Sequence, residues 1–291
     1  MMRLGFIGFG EVAYELSRGY KTEGINGIVA YDPMQNDPQY GRLVQERADA
    51  VSVILVPQPS EVVRLADVII AAVPGSRALQ AAESIRADLN ETKLYADVST
   101  SSPTTKQKIA ALIAETGAGF VDGALMGGLT QQQHKVPTLV SGSGAEKFIG
   151  KMECCHMNLE KVSDKAGDAI AVKLVRSIYM KGAATLEMEM LEAAHKLQVE
   201  DLVLDSIAHS VDAKPFKDMM NFLVTASAIH AERQTHEMAD CMAMLRDLDI
   251  APTMTEATMK RLQWLADKKM KEKFGGKVPA RWQDVVQAWS E

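Results

Sequence analysis

Cysteine is scarce, with three in 291 residues, and two of these are adjacent at Cys154 and Cys155. So few cannot build a disulfide framework, and a reducing, cytoplasmic setting is the default expectation. Basic residues are not in excess either. Lys plus Arg number 32 against 38 Asp plus Glu, a net charge of −6. That balance argues against a nucleic-acid partner, whose recognition needs a basic surface. No uninterrupted apolar run approaches the roughly 18 residues of a membrane span. The opening residues meet a carboxylate at Glu11, too early for a secretory signal. Internal repeats and low-complexity tracts are missing. What remains is an ordinary globular composition, 47% apolar and 24% charged. The length leaves room for two domains of about 150 residues each.

Glycine and methionine divide the chain. Sixteen of 20 glycines fall within residues 1–150, and 11 of 17 methionines follow residue 179. The first half alternates in pattern. Short apolar runs at 3–8, 27–32, 52–56, 67–73, 93–98, 119–122 and 136–141 read as strands, with helical stretches between them. Ser102-Pro103 is a helix start, serine as cap and proline at the first turn. Strands alternating with helices imply a doubly wound, mostly parallel sheet. The second half has almost no strand signal. Helices are predicted at 168–197, 200–212, 216–247, 253–273 and 279–290, punctuated by Pro252, Gly275-Gly276 and Pro279. The first part of the 168–197 helix is apolar on every side (Ile170, Val172, Leu174, Val175, Ile178, Tyr179, Met180), which predicts burial all round. The expected division is an α/β domain over 1–162 and an all-α domain over 163–291.

The strongest local signal is Gly8-Phe9-Gly10-Glu11-Val12-Ala13, a match to G-x-G-x-x-G/A lying after a strand and opening a helix. Gly8 permits the tight turn, Gly10 lets a pyrophosphate approach the backbone, and Ala13 lets the helix pack on the strand. The helix N-terminus then offers free N–H groups to phosphate. Asp32 ends the second strand, 22 residues after Gly10, where a carboxylate receives the adenosine ribose hydroxyls. The pattern is that of a Rossmann dinucleotide-binding domain. Asp32 would repel a 2′-phosphate, so NAD is expected in preference to NADP.

Four later stations extend the likeness over nearly the whole chain. They are Ala72-Val73-Pro74, Asp97-Val98-Ser99-Thr100-Ser101-Ser102-Pro103, Asp122-Gly123-Ala124-Leu125-Met126-Gly127-Gly128, and Gly167-Asp168-Ala169-Ile170-Ala171-Val172-Lys173. In this order the chain resembles the β-hydroxyacid dehydrogenase family: 3-hydroxyisobutyrate dehydrogenases, tartronate semialdehyde reductases and 6-phosphogluconate dehydrogenases. The stretches 229–238 and 252–257 resemble a branch of it with a poorly characterised helical C-terminal domain. The resemblance implies cofactor contacts from Gly8, Phe9, Gly10, Glu11, Val12, Asp32, Val73 and Pro74, with Ser99 and Thr100 near the nicotinamide ribose. It implies a substrate loop at Met126, Gly127 and Gly128, catalysis by Lys173, and a homodimer. Three departures stand out. Met126 replaces the family's serine, Ser177 stands where asparagine is usual, and Ala169 replaces a glycine.

Oxidising an alcohol or reducing a carbonyl needs a bound nicotinamide, a group that moves the hydroxyl proton, and an anchor for the substrate. Lys173 is the candidate acid/base, since burial in an apolar stretch disfavours an ammonium's charged form. Ser177, four residues on, shares its helix face. Gly127 and Gly128 offer backbone N–H groups to a substrate carboxylate. His230 and Arg233 on a later helix are candidates for a second anion contact, because guanidinium matches carboxylate in a two-bond fork. The expected partner is a small carboxylate substrate. Cys154-Cys155-His156 reads as a short apolar strand rather than a metal site, and His134 as an exposed loop residue. An imine reductase and a cofactor-sensing binding protein without catalysis are the alternatives.

Overall fold

The computed structural model describes residues 2–290. The chain divides into two compact units, one ending at Ser177 and the other beginning at Ile178. In the first, β1 (Leu4–Ile7), α1 (Glu11–Thr22), β2 (Val29–Tyr31), α2 (Gly41–Ala50), β3 (Ile54–Leu55), α3 (Pro59–Leu65), β4 (Val68–Ala71), α4 (Ala78–Glu83) and β5 (Leu94–Asp97) alternate strand and helix. They are followed by α5 (Pro103–Ala114), β6 (Gly119–Leu125), α6 (Leu129–Gln132), β7 (Thr138–Ser141), α7 (Ala145–Met152) and β8 (Leu159–Ser163).

The eight strands form one sheet in the order β3-β2-β1-β4-β5-β6-β7-β8. All neighbours are parallel except β6 and β7. β1, β4 and β5 are buried along their whole lengths, as parallel strands covered on both faces must be. Their side chains alternate between two cores. Phe6, Ile70 and Ala96 enter one with Leu16 and Tyr20 of α1. Ile7, Ile69 and Tyr95 enter the other with Val62 of α3 and Ile109 of α5. The strand order reverses direction between β1 and β4, and in such sheets ligands bind beyond the strand ends at that point. Ser102 caps α5 through the Thr105 N–H at 3.1 Å, with Pro103 at the first turn, as the sequence predicts.

Two local expectations are overturned. Cys154 and Cys155 form a 3-10 turn, not a strand, and it ends in a left-handed His156 (φ 49°). His134 is only 2% exposed. Its ring lies against Tyr20, and burial lowers its pKa. Glu23 at the end of α1 anchors the ring and opposes that shift. Its carboxylate meets Lys135 Nζ at 2.9 Å, His156 Nδ1 at 2.7 Å and His134 Nε2 at 3.1 Å. Hydrogen bonding from Lys135 first, then His156, holds the Glu23 carboxyl at about 2 against an ordinary 4.5. A depressed carboxylate pKa stabilises the fold above the unfolded value, and that contribution disappears as the carboxylate is protonated. Thermal stability should therefore fall as pH drops from 4.5 toward about 2, and Glu23→Gln should flatten that slope. Melting curves taken across this window check it; parallel slopes for the two proteins would exclude Glu23 as the cause.

The long helix α8 (Asp168–Leu197) begins in the first unit and continues into the second. The second also holds α9 (Glu200–Asp212), α10 (Phe216–Asp247), α11 (Thr253–Asp267), α12 (Met270–Lys273) and α13 (Trp282–Ser290). Its core joins Ala228 and Ala231 of α10 to Leu265, Met270 and Val285. Glu189 of α8 accepts the Met254 and Thr255 N–H groups at 2.7 and 2.8 Å, capping α11 from outside its own sequence. The prediction that α8 is buried all round fails for the single chain. Val175 is 67% and Ile178 75% exposed. Among the described residues, no helix is long and apolar enough to cross a membrane.

Candidate active site

The glycine loop is shaped by close approach. Gly8 has φ +86°, and a Cβ there would lie 2.6 Å from the Ala72 carbonyl oxygen. A side chain at residue 8 would be strained and would also strike the turn after β4. Gly10 is the opposite case, with nothing within 4 Å of a built Cβ. It is the N-cap of α1, and among the described residues no side chain caps the first-turn N–H groups. Those donors are left for an anion or for water. Phe9 turns inward. Its side chain is fully buried against Phe6, and its N–H donates to Asp32 Oδ2 at 2.7 Å.

Asp32 is therefore more than an acidic residue at a strand end. Its Oδ1 also accepts the Met34 N–H at 2.8 Å. The carboxylate thus fastens the glycine loop to the end of β2, and each oxygen keeps lone-pair capacity for a ligand hydroxyl. A cavity of about 650 Å³ opens beside it, lined by Gly8, Gly10, Asp32, Val73, Pro74 and Arg77 among others. A second, of about 400 Å³, is lined by Glu11, Val12, Ser99, Thr100, Gly127 and Lys173 among others. Gly10, Ala72, Val73 and Pro74 line both. The two adjoin past the strand ends as the two arms of one trough, each of the size usual for ligand sites.

Around the second cavity the turns are locked to each other. Ser99 is buried, and its hydroxyl accepts the Val73 N–H at 3.2 Å. Its own N–H donates to Asp97 Oδ1 at 2.9 Å. Gly75 lies so close to the following turn that a Cβ would fall 1.9 Å from the Thr100 carbonyl oxygen. Lys173 enters from the second turn of α8, a half-buried position. Ser177 lies one turn further on. Met126 packs with Ala124, Ala169 and Ile170 under the head of α8. Gly127 reaches the cavity lining, and Gly128 is exposed. His230 and Arg233 belong to the second unit. There they line a separate cavity of about 680 Å³, and Arg233 is paired with Glu237.

The sequence reading missed one group. Lys106 of α5 is fully buried, as are Asp97 and Asp122. Its ammonium lies 3.0 Å from Asp97 Oδ2 and 3.3 Å from Asp122 Oδ1. The signal was available, since Lys106, Ile109 and Ile113 share the buried face of α5, and a lysine on an apolar stripe needs a partner. Among the described residues no cluster of His, Cys, Asp and Glu is arranged to hold a metal.

Comparison with known proteins accords with this geometry. Residues 3–165 match the family model described as the NAD binding domain of 6-phosphogluconate dehydrogenase. Residues 194–265 match a domain of unknown function, DUF1932. An uncharacterized 28.5 kDa protein in a 7S RNA 5′ region of Methanothermus fervidus is 28% identical over 88% of this chain and 96% of its own. A solved conserved protein of unknown function, described as structurally similar to 3-hydroxyacid dehydrogenases, is 31% identical. The match covers 91% of this chain and 97% of that one, with a TM-score of 0.59. An imine reductase from Myxococcus stipitatus, solved with NADP+, shares the fold at a TM-score of 0.74 and 14% identity, over 91% and 94% of the two chains.

Proposed function

We propose that this chain, which belongs to the family of the 6-phosphogluconate dehydrogenase NAD-binding domain, transfers hydride between a nicotinamide cofactor and a small β-hydroxy acid or its semialdehyde. The observation that carries the reading is that Lys173 lines the same cavity as Ser99, Thr100 and the head of α1. The residues present fit a dinucleotide. The uncapped N-terminus of α1, with open space at Gly10, would take the pyrophosphate. Asp32, at the other end of the trough, would take the adenosine ribose hydroxyls, and its negative charge favours NAD over NADP. Val73, Pro74, Ser99 and Thr100 would flank the nicotinamide end.

When bound, the nicotinamide supplies the hydride chemistry. Lys173 handles the proton. In reduction its ammonium donates to the carbonyl oxygen, and in oxidation its neutral amine takes the hydroxyl proton. Ser177 is the polar side chain one helical turn away that would orient the substrate oxygen. The N–H groups of Gly127 and Gly128, next to Met126, would hold the substrate carboxylate. The packing of Met126 into the head of α8 leaves this loop without the family's serine hydroxyl, the one feature that favours an imine in place of a semialdehyde. A homodimer is part of this reading. In the single chain Ile178 is 75% and Leu202 74% exposed, and a second copy would cover such a face.

The test is a fluorescence titration with NADH and NADPH, followed by a panel of semialdehydes and cyclic imines. Tighter NADH binding and oxidation of NADH by semialdehydes are expected. Equal affinities for the two nucleotides would remove the NAD preference, and turnover of imines alone would move the assignment to imine reduction. Binding without any turnover would favour a cofactor sensor. A sedimentation mass of one chain would remove the homodimer.

A further inference from the structure

One fully buried cation, Lys106, faces two fully buried carboxylates, and each carboxylate is hydrogen-bonded toward a different wall of the trough. Lys106 Nζ also donates to the Asp97 carbonyl oxygen at 2.6 Å. On one side, Asp97 holds the Ser99 N–H, and Ser99 holds the Val73 N–H. On the other side, Asp122 Oδ2 accepts from the Gly167 N–H at 3.2 Å, the Ile170 N–H at 3.1 Å and the Ser141 hydroxyl at 3.2 Å. Ser141 in turn accepts the Ala169 N–H at 3.1 Å. Asp122 is thus the cap of α8, supplied from β6, 45 residues earlier in the chain than Gly167. The positive end of the helix offsets the second negative charge. Gly167 has φ +99°, and a Cβ there would press on Pro103 at the start of α5, so the turn before α8 is seated on the helix that carries Lys106.

We propose that Asp97, Lys106 and Asp122 are positioning residues that couple the Ser99 turn to the head of α8, and so set where Lys173 stands in the cofactor trough. The inference rests on the reading of Lys173 and the trough given above. None of the three lines either cavity, so they act through Ser99 and through the first turn of α8. Asparagine at 122 cannot serve both neighbours at once. Its carbonyl oxygen can accept from the α8 N–H groups only if its NH2 faces the Lys106 ammonium, donor against donor. The same conflict arises at 97, between Ser99 and Lys106. Each single substitution leaves the buried ammonium one carboxylate, whereas the double substitution removes both, so the two losses do not simply add.

The experiment compares wild type, Asp122→Asn, Asp97→Asn and the double variant. Readouts are NADH affinity, turnover and hydrogen exchange across residues 167–173. Asp122→Asn should lower turnover by about 100-fold, as expected of a misplacement of about 1 Å. NADH affinity should change little. Exchange at the head of α8 should quicken by about tenfold, the effect of losing a charge-assisted cap. The double variant should lose more than the sum of the two single variants, because it leaves Lys106 buried with no counter-charge. Ser141→Ala, which removes one link and leaves all three charges, should shift turnover and exchange in the same direction by less, and it substitutes if Asp122→Asn does not fold. Losses that add in the double variant would overturn the coupling. So would turnover and NADH affinity falling together with faster exchange along the whole chain, the mark of a purely structural role. If the wild type turns over nothing, the functional reading fails, and exchange at 167–173 in the single and double variants still decides the coupling.

Discussion

Lys173→Ala should lower kcat by about 10²- to 10⁴-fold, the range contributed by a positioned general acid or base. NADH affinity should stay close to that of the wild type. The split follows from placement. Lys173 stands at the α8 side of the 400 Å³ cavity, whereas the groups suited to phosphate and ribose come from α1 and β2. Removing the amine takes away the proton path and leaves the anion-binding backbone intact. Two further measurements sharpen the result. Added methylamine should restore part of the lost turnover, because it returns an amine to the space the side chain vacated. Lys173→Arg should be almost as slow as the alanine variant, since a guanidinium holds its protons too tightly to serve as acid or base at neutral pH. A folded, NADH-binding Lys173→Ala protein that kept full turnover would sink the assignment.

Lys106→Met should destabilise the fold by about 3–5 kcal/mol, the usual cost of removing one partner from a buried ion pair. Methionine fills nearly the same volume without charge, so the loss is electrostatic rather than a cavity. It leaves Asp97 and Asp122 buried with no cation between them, a like-charge arrangement in a region of low dielectric. Urea denaturation, read as the midpoint at unchanged m-value, measures it. The contrast is Arg42→Ala. Arg42 pairs with Glu46 at 2.7 Å but is 87% exposed, and exposed pairs contribute about 0–1 kcal/mol. If the two variants lost equal stability, the buried cluster would be no more than another surface pair.

The glycine loop, the strand–helix alternation and most helix limits could be read from the residues in order. Each depends on local features. Gly8 supplies a positive φ, Ser102 and Pro103 start a helix, and runs such as Val68–Ala71 are apolar because both faces are covered. The predicted helices at 168–197, 200–212 and 216–247 have the observed bounds. The 253–273 prediction breaks at Lys269, where the backbone turns left-handed (φ 55°). β8 was not foreseen as a strand. It is a half-exposed edge whose pairing with β7 was not marked by an apolar run of its own.

What tertiary structure alone decided is where charges go and what covers an apolar face. Asp97, Lys106 and Asp122 occupy a strand end, a helix and the middle of another strand, and their spacing in the chain says nothing of the 3.0 and 3.3 Å contacts among them. His134 looked solvated in a run of glutamines until Glu23, 111 residues away, drew it inward. The sequence marks the apolar sides of α8 as needing cover, whereas Val175 and Ile178 are exposed. Periodicity, glycines and caps act between near neighbours and so are written in sequence order. Ion pairing and burial act through space, and only the folded backbone sets which distant groups meet.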